Sequence, residues 1–150
     1  MFYYRGELEA IAQQFSLDPD LLHAQVLVES GGKTHAYRFE PGFWHRYMMN
    51  KPEWDGANPE RVSASYGLLQ IMYPVARELG YRDIPEHLFA PVTGLHWGAK
   101  KLQTLKDWAQ GDMERALAAY NGGMGGNKQR PFRNVEYVNK VYKHLELVKV

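Results

Sequence analysis

Apolar residues recur every three or four positions along most of this chain, the spacing that places them on one face of an α-helix. The alternation of apolar and polar residues that is typical of strands is scarce. The predicted fold class is therefore all-α, a compact multi-helix domain. The predicted helices are a short one ending near Ser16, one opened by Asp18-Pro19-Asp20 and stopped at Gly31-Gly32, a long one after Pro91 ending at Gly111, a short one capped by Asp112 and broken at Asn121-Gly122-Gly123, and a last one from about Asn134.

Residues 33–62 interrupt the helical pattern, and we call them the aromatic segment. Six tyrosine, phenylalanine and tryptophan side chains lie in it, with prolines and glycines between them. Short helices after Pro41 and Pro59 are predicted within it. From Gly67 to Gly80 the helical pattern returns, with Pro74 near the start of the predicted helix.

The composition predicts a single domain, 1–150, because a chain of 150 residues with 45% hydrophobic content can bury a core of its own. Its 18 basic and 17 acidic residues give a net charge of +1, which argues against nucleic acid as a partner. The basic stretch Lys128 to Arg133 is typical of a solvated loop. The absence of cysteine excludes disulfides and thiolate metal sites. The 6 histidines form no metal-binding motif, so neither a metal nor a cofactor is expected.

The first residues lack the basic start, the long apolar stretch and the small-residue cleavage site of a secretory signal. No apolar run reaches the ~20 residues of a membrane-spanning helix, so no membrane span is expected. If the protein acts outside the cytoplasm, we expect that other machinery delivers it or that a leader has been removed.

One glutamate, Glu29, lies in the final turn of the predicted second helix, among mostly apolar neighbours. Apolar surroundings disfavour the ionised carboxylate and raise its pKa, which a general acid working near neutral pH requires. The alternative interpretation is a helix-end glutamate that bonds to the backbone or to an arginine. Glu29 is therefore the candidate catalytic acid, and Ser30 follows it directly.

Two further motifs combine glycine with polar side chains, namely Gly67-Leu68-Leu69-Gln70-Ile71-Met72 and Ala119-Tyr120-Asn121-Gly122-Gly123. Glycine allows a backbone to approach a ligand closely, and a glutamine inside an apolar run needs a hydrogen-bond partner. The alternatives are an ordinary helix start with an exposed glutamine and an ordinary helix C-cap.

In this order, Glu29-Ser30, the two glycine motifs and the pair Tyr137-Val138 resemble the lytic transglycosylase family of the soluble, goose-lysozyme-like type, the SLT domain. That family cleaves the MurNAc to GlcNAc bond of peptidoglycan, and the resemblance spans roughly Leu17 to Tyr142. It implies a lysozyme-like fold with a substrate cleft. By resemblance, Glu29 is the catalytic acid, Ser30 supports it, Gln70 and Met72 line sugar subsites, Tyr120 holds Glu29 by a hydrogen bond and Asn121 contacts glycan.

Two departures from the family pattern affect what carries over. The aromatic segment looks like an insertion, and its run Tyr37-Arg38-Phe39-Glu40-Pro41 is similar to one in some phage-encoded muramidase and transglycosylase domains. The serine that contacts the substrate's N-acetyl group in the family matches Ser63 or Ser65, and the sequence leaves both open. The rings of the aromatic segment either stack on sugars or pack the segment against the helices.

The favoured mechanism uses Glu29 alone, first as the acid that protonates the glycosidic oxygen and then as the base that deprotonates the C6 hydroxyl, giving a 1,6-anhydro end. Peptidoglycan strands are the expected partner, with the bacterial cell wall and periplasm as the place of action. A hydrolytic muramidase that uses Glu40, Glu53 or Asp55 as a second carboxylate is one alternative. A non-catalytic glycan-binding or structural domain of a phage tail or secretion machine is the other. The protein is expected to be a monomer, with a phage virion or secretion assembly as a further candidate partner.

Overall fold

The computed structural model describes residues 2–150, and helices dominate this part of the chain. The mainly α fold class predicted from the pattern is confirmed. A π-helical turn, Trp44–Met48, continues the short helix Pro41–Phe43, and two 3-10 turns lie at Pro52–Trp54 and Pro85–Phe89. The α-helices are α1 (Arg5–Gln14), α2 (Pro19–Ser30), α3 (Pro41–Phe43), α4 (Pro59–Val62), α5 (Tyr73–Glu78), α6 (Pro91–Trp108), α7 (Met113–Gly122) and α8 (Val135–Val148).

The ends of α2 are set by the residues that the sequence analysis singled out. The Asp18 side chain accepts a hydrogen bond from the backbone N–H of Asp20 at 2.9 Å, and Pro19 occupies the first turn. Gly31 ends the helix in the left-handed conformation, with φ of 64°. These local signals therefore place Glu29 in the last turn of α2.

A three-stranded antiparallel sheet, in the order β1-β2-β3, is the main departure from the predicted elements. Its strands are β1 (Tyr37–Phe39), β2 (Ala64–Tyr66) and β3 (Ile71–Met72), and Tyr66 pairs with both Tyr37 and Ile71. The predicted helix from Gly67 is wrong in its first part, because residues 67–70 form the turn between β2 and β3 and α5 begins only at Tyr73. Strands of two or three residues are too short to produce a visible alternation.

Within residues 2–150, buried apolar side chains form two clusters. One lies among α1, α2, α6, α7 and α8, which we call the helical part; α2 packs mainly on α8, and α6 on α7. The other lies among the aromatic segment, the sheet, α5 and the turn Pro85–Phe89, which we call the sheet part. No helix of residues 2–150 has both the length and the apolarity to cross a membrane.

The turn between β2 and β3 joins the two parts. Leu68 and Leu69 are buried in the helical cluster, whereas Tyr66 and Ile71 on either side are buried in the sheet cluster. Leu69 fits because α6 has a glycine beside it: a Cβ at Gly98 would lie 2.5 Å from the Cβ of Leu69. This close approach fixes the turn against α6 beside the end of α2.

Candidate active site

A cleft of about 1060 Å³ is lined by residues from both the helical part and the sheet part. Glu29 of α2 lies on the helical side. The other lining residues that the sequence analysis named are Glu40, Glu53, Ser65, Gln70, Met72, Tyr120 and Asn121. Ser30, Ser63 and Asp55 are not among the lining residues.

The Glu29 carboxyl is partly buried and accepts a hydrogen bond from another helix. The hydroxyl of Tyr137, on α8, donates to Oε2 of Glu29 at 2.6 Å. Burial raises the pKa of Glu29 above its ordinary value, while the Tyr137 hydrogen bond and the charges of Lys101 and Arg38 oppose that rise. The dominant effect favours a protonated carboxyl, the form that can donate a proton to a substrate.

The Tyr120 hydroxyl does not bind Glu29, the partner that the family resemblance implied. Its hydroxyl donates instead to the backbone oxygen of Leu69 at 2.6 Å, in the turn between β2 and β3. The physical reason is that α7 packs the phenol against a buried turn carbonyl, which needs a donor. The hydrogen bond to Glu29 that was expected from Tyr120 comes from Tyr137 instead. Its signal in the sequence was a phenol on the buried face of a helix, where a hydroxyl needs a partner.

A buried glutamine behind Tyr137 was not identified by sequence reasoning. Gln25 of α2 is 0% exposed, and its Nε2 donates to the Tyr137 hydroxyl oxygen at 3.1 Å. No hydrogen bond from residues 2–150 reaches its other amide atom, Oε1. A glutamine within the apolar run Leu21 to Val28 was the available signal.

Lys101 of α6 is a second functional candidate that sequence reasoning missed. Its Nζ donates to the backbone oxygen of Tyr120 at 2.9 Å and lies 3.9 Å from the centre of the Tyr120 ring. Burial lowers the pKa of Lys101 to about 8, while the Glu29 charge opposes that fall. A lysine on the core side of an amphipathic helix was only a weak sequence signal, because the side chain can extend to solvent.

Ser30 connects the end of α2 to the turn between β2 and β3. Its Oγ lies 2.9 Å from the backbone oxygen of Leu68 and 3.0 Å from that of Val26, and it accepts from the N–H of Gly32 at 3.2 Å. These contacts fix the last turn of α2, which carries Glu29. The supporting role implied for Ser30 thus has a structural route, through backbone contacts.

A family model described as "Transglycosylase SLT domain" matches residues 8–142. The chain belongs to this family. Its fold is similar to that of an inactive glutamate-to-glutamine variant of the lytic transglycosylase Slt from Pseudomonas aeruginosa, with a TM-score of 0.73 and 19% sequence identity. The match covers 98% of this chain and 24% of that one, so the SLT domain here spans about a quarter of that protein's length. No curated protein matched the chain.

The structure distinguishes the two serines that the sequence left open in the SLT domain. Ser63 is fully buried, and its Oγ donates to the backbone oxygen of Glu40 at 2.8 Å, away from the lining of the cleft. Ser65, on β2, is among the lining residues. Of the two serines, only Ser65 therefore remains a candidate for substrate contact, and the Ser63 side chain binds the backbone at Glu40.

Two polar side chains that line the cleft of the SLT domain, Gln70 and Asn121, are held by hydrogen bonds. Gln70 has a positive φ of 48°, and its Nε2 donates to the backbone oxygens of Ala36 at 3.0 Å and Gly67 at 3.1 Å. Asn121, at the end of α7, accepts from Nδ2 of Asn134 at 2.9 Å. Both side chains are thus held in place before any ligand binds, which favours a role in orienting one.

The aromatic segment forms much of the opposite wall. Phe43, Tyr47 and Trp54 line the cleft, and Tyr47 is 45% exposed. Glu40 forms an ion pair with Arg38 at 3.1 Å, with side-chain exposures of 29% and 75%. This wall offers flat rings and solvent-exposed charges to a ligand, whereas the helical wall offers a partly buried acid.

Proposed function

We propose that this SLT domain is a peptidoglycan lytic transglycosylase in which Glu29 is the single acid and base. The domain cleaves the bond between MurNAc and GlcNAc and leaves a 1,6-anhydroMurNAc end. The observation that carries the proposal is a carboxyl with a raised pKa, held by a hydrogen bond from Tyr137 in a cleft of about 1060 Å³. Family membership supports it, because SLT domains cleave peptidoglycan.

The first step is proton transfer from Glu29 to the glycosidic oxygen. Burial keeps the carboxyl protonated at a higher pH than an exposed glutamate, and residues of the aromatic segment line the same cleft. As the bond to the leaving sugar breaks, positive charge develops on the muramic ring, and Glu29 becomes a carboxylate. The Tyr137 hydroxyl and the Lys101 ammonium stabilise that carboxylate.

The second step uses the same carboxylate as a base. Glu29 takes the proton of the C6 hydroxyl, whose oxygen attacks C1 of the same sugar and closes the 1,6-anhydro ring. The nucleophile is tethered to the reacting centre, so no second carboxylate is needed to activate water. Glu29 is protonated again at the end of the cycle.

A second candidate function is an inverting muramidase, because a second carboxylate lies in the cleft. Glu40 lines the same cleft as Glu29, as does the more exposed Glu53, whereas Asp55 is not among the lining residues. To activate water, an inverting hydrolase needs a second carboxylate roughly 6.5–9.5 Å from the acid. The ion pair with Arg38 fits a wall residue better than a free base.

Mass spectrometry of digested peptidoglycan separates these functions. The transglycosylase gives muropeptides that are lighter by one water than those of a hydrolase, and Glu40→Gln retains most of the activity. A purely reducing product together with loss of activity in Glu40→Gln identifies the muramidase. If the wild-type protein and Glu40→Gln both leave purified walls intact, the domain is a non-catalytic glycan-binding or structural domain.

The biological setting that we propose is the bacterial cell wall. Delivery in a phage lysis or virion assembly is supported only by the likeness of Tyr37-Arg38-Phe39-Glu40-Pro41 to phage-encoded domains. In the structure, Tyr37–Phe39 is strand β1 and Arg38 and Glu40 line the cleft, so this run contributes to the site itself.

A further inference from the structure

Gln25 has properties that packing alone does not explain. It is 0% exposed within a helix whose neighbouring positions are Leu21, Leu22, Ala24 and Val26, all buried. Its Oε1 has no hydrogen-bond partner within residues 2–150. A buried acceptor without a partner destabilises the folded state, and an apolar side chain of the same size would avoid that cost. A function of the other amide atom, Nε2, would explain why a glutamine lies at this position.

That other atom begins a chain of hydrogen bonds that ends on the catalytic acid. Nε2 of Gln25 lies 3.1 Å from the hydroxyl oxygen of Tyr137, which lies 2.6 Å from Oε2 of Glu29. Gln25 and Glu29 are four residues apart on α2, so both reach the same hydroxyl of α8 from one face of the helix.

The number of protons fixes the direction of this chain. A tyrosine hydroxyl has one proton to donate, and the Tyr137 proton goes to Glu29. Gln25 must then present its nitrogen, because an amide oxygen facing Tyr137 would find no proton to accept. A phenol that accepts a hydrogen bond is in turn a stronger donor.

We propose that Gln25 is a positioning residue, which fixes the direction of the Tyr137 hydroxyl proton and so keeps the acidic proton of Glu29 on Oε1. Oε2 receives the Tyr137 proton, and it therefore serves as the acceptor oxygen in both protonation states of Glu29. The acidic proton resides on Oε1, the oxygen that no hydrogen bond from residues 2–150 occupies. This inference rests on the proposed role of Glu29 as the acid.

Charged and titratable groups from four elements act on Glu29. They are Tyr137 on α8, Lys101 on α6, Tyr120 on α7 and Arg38 on β1. Of these, Tyr137 donates a hydrogen bond to the carboxyl, and that bond lowers the pKa of Glu29. Weakening it through Gln25 therefore raises the pKa of Glu29, while the charges of Lys101 and Arg38 stay in place.

The test is Gln25→Met, which keeps the length of the side chain but cannot donate to Tyr137. The matched control is Leu21→Met, a buried residue one turn earlier on α2. We expect Gln25→Met to lower kcat by roughly 2- to 10-fold, the value of one net hydrogen bond, with KM little changed. Its Tm is expected to equal or exceed that of the wild type, because the unpaired amide oxygen is gone.

Two readouts separate positioning from packing. The basic limb of the pH–rate profile moves to higher pH in Gln25→Met, and ¹³C NMR titration of the Glu29 carboxyl gives a higher pKa. In a Tyr137→Phe background, Gln25→Met changes neither, because the residue acts through Tyr137. The inference is overturned if the pKa of Glu29 is the same in Gln25→Met as in the wild type. It is also overturned if kcat falls only in proportion to a fall in Tm, as expected for a packing change such as Leu21→Met.

The NMR titration also distinguishes this failure from failure of the proposed function. A wild-type protein that leaves peptidoglycan intact refutes the transglycosylase, yet Glu29 still titrates. In that case a higher Glu29 pKa in Gln25→Met still supports the hydrogen-bond chain, and an unchanged pKa still refutes it.

Discussion

The two walls of the cleft differ in what lies behind their polar groups. On the helical wall, Glu29 is backed by Tyr137 and by Gln25, which is 0% exposed. On the sheet wall, the Arg38 side chain is 75% exposed, and Tyr47 is 45% exposed. Groups that move a proton need fixed, desolvated neighbours, whereas groups that bind a long polymer act by many weak contacts near solvent. We therefore propose that the first wall carries the chemistry and that the second binds the glycan strand.

The strongest way to break this comparison is Glu29→Gln. General acid catalysis contributes roughly 10²- to 10⁴-fold, so wall clearing is expected to fall by about that factor. The raised pKa of Glu29 means that its ionised form destabilises the folded state, and the loss grows as pH rises above the ordinary glutamate pKa. Thermal melting at pH 7 is therefore expected to give an equal or higher Tm for Glu29→Gln than for the wild type. Equal clearing by both proteins would refute the acid role.

Tyr137→Phe is expected to have the next largest effect. A hydrogen bond to a charged group contributes about 1.5–3 kcal/mol, so kcat is expected to fall roughly 10- to 100-fold. Because that bond lowers the pKa of Glu29, its loss moves the basic limb of the pH–rate profile to higher pH.

Tyr142→Phe is the matched control for this change, since Tyr142 is a half-buried tyrosine of the same helix that packs against the core. In steady-state kinetics on purified walls, Tyr142→Phe is expected to have the kcat of the wild type. A Tyr137→Phe enzyme as active as this control would contradict the place of Tyr137 beside the acid.

The sheet wall is tested by Tyr47→Ala, with a smaller expected effect. Loss of one exposed ring removes about 0.5–1.5 kcal/mol of contact, so KM is expected to rise a few-fold, with kcat nearly unchanged. Tyr3→Ala, which removes an 85% exposed ring outside the cleft, is the control. A fall in kcat in place of the rise in KM would mean that the aromatic segment takes part in the chemistry.

The prediction for Lys101 concerns the stability of the fold. Its pKa is about 8 in the folded protein and 10.5 ordinarily, so the unfolded chain binds more protons between these values and the free energy of unfolding rises with pH there. Above about pH 10, the raised pKa values of Tyr120 and Tyr137 act in the opposite sense, because only the unfolded tyrosines ionise. Urea unfolding at pH 8 and 10 measures this effect. The free energy of unfolding is expected to rise between these pH values in the wild type but not in Lys101→Met.

Prediction from the sequence succeeded where a signal was local and failed where it depended on packing. The caps at Asp18 and Gly31 place Glu29 correctly, because both act within a few residues of it. The strands β2 and β3 escaped notice, since three and two residues give no periodicity. Within the site, Tyr120 was expected to contact Glu29, although its hydroxyl binds the backbone of Leu69 instead.

The sequence by itself determined most of the helices, the ends of α2, the family and the position of Glu29, since each of these depends on short-range spacing or on motifs in a fixed order. Only the tertiary structure decided that Tyr137, 108 positions away, donates to Glu29, and that Ser65 faces the cleft while Ser63 does not. The choice between two tyrosines on neighbouring helices depends on the rotation and spacing of whole helices. Local patterns do not encode that geometry, because it results from the packing of all the side chains between α2, α7 and α8.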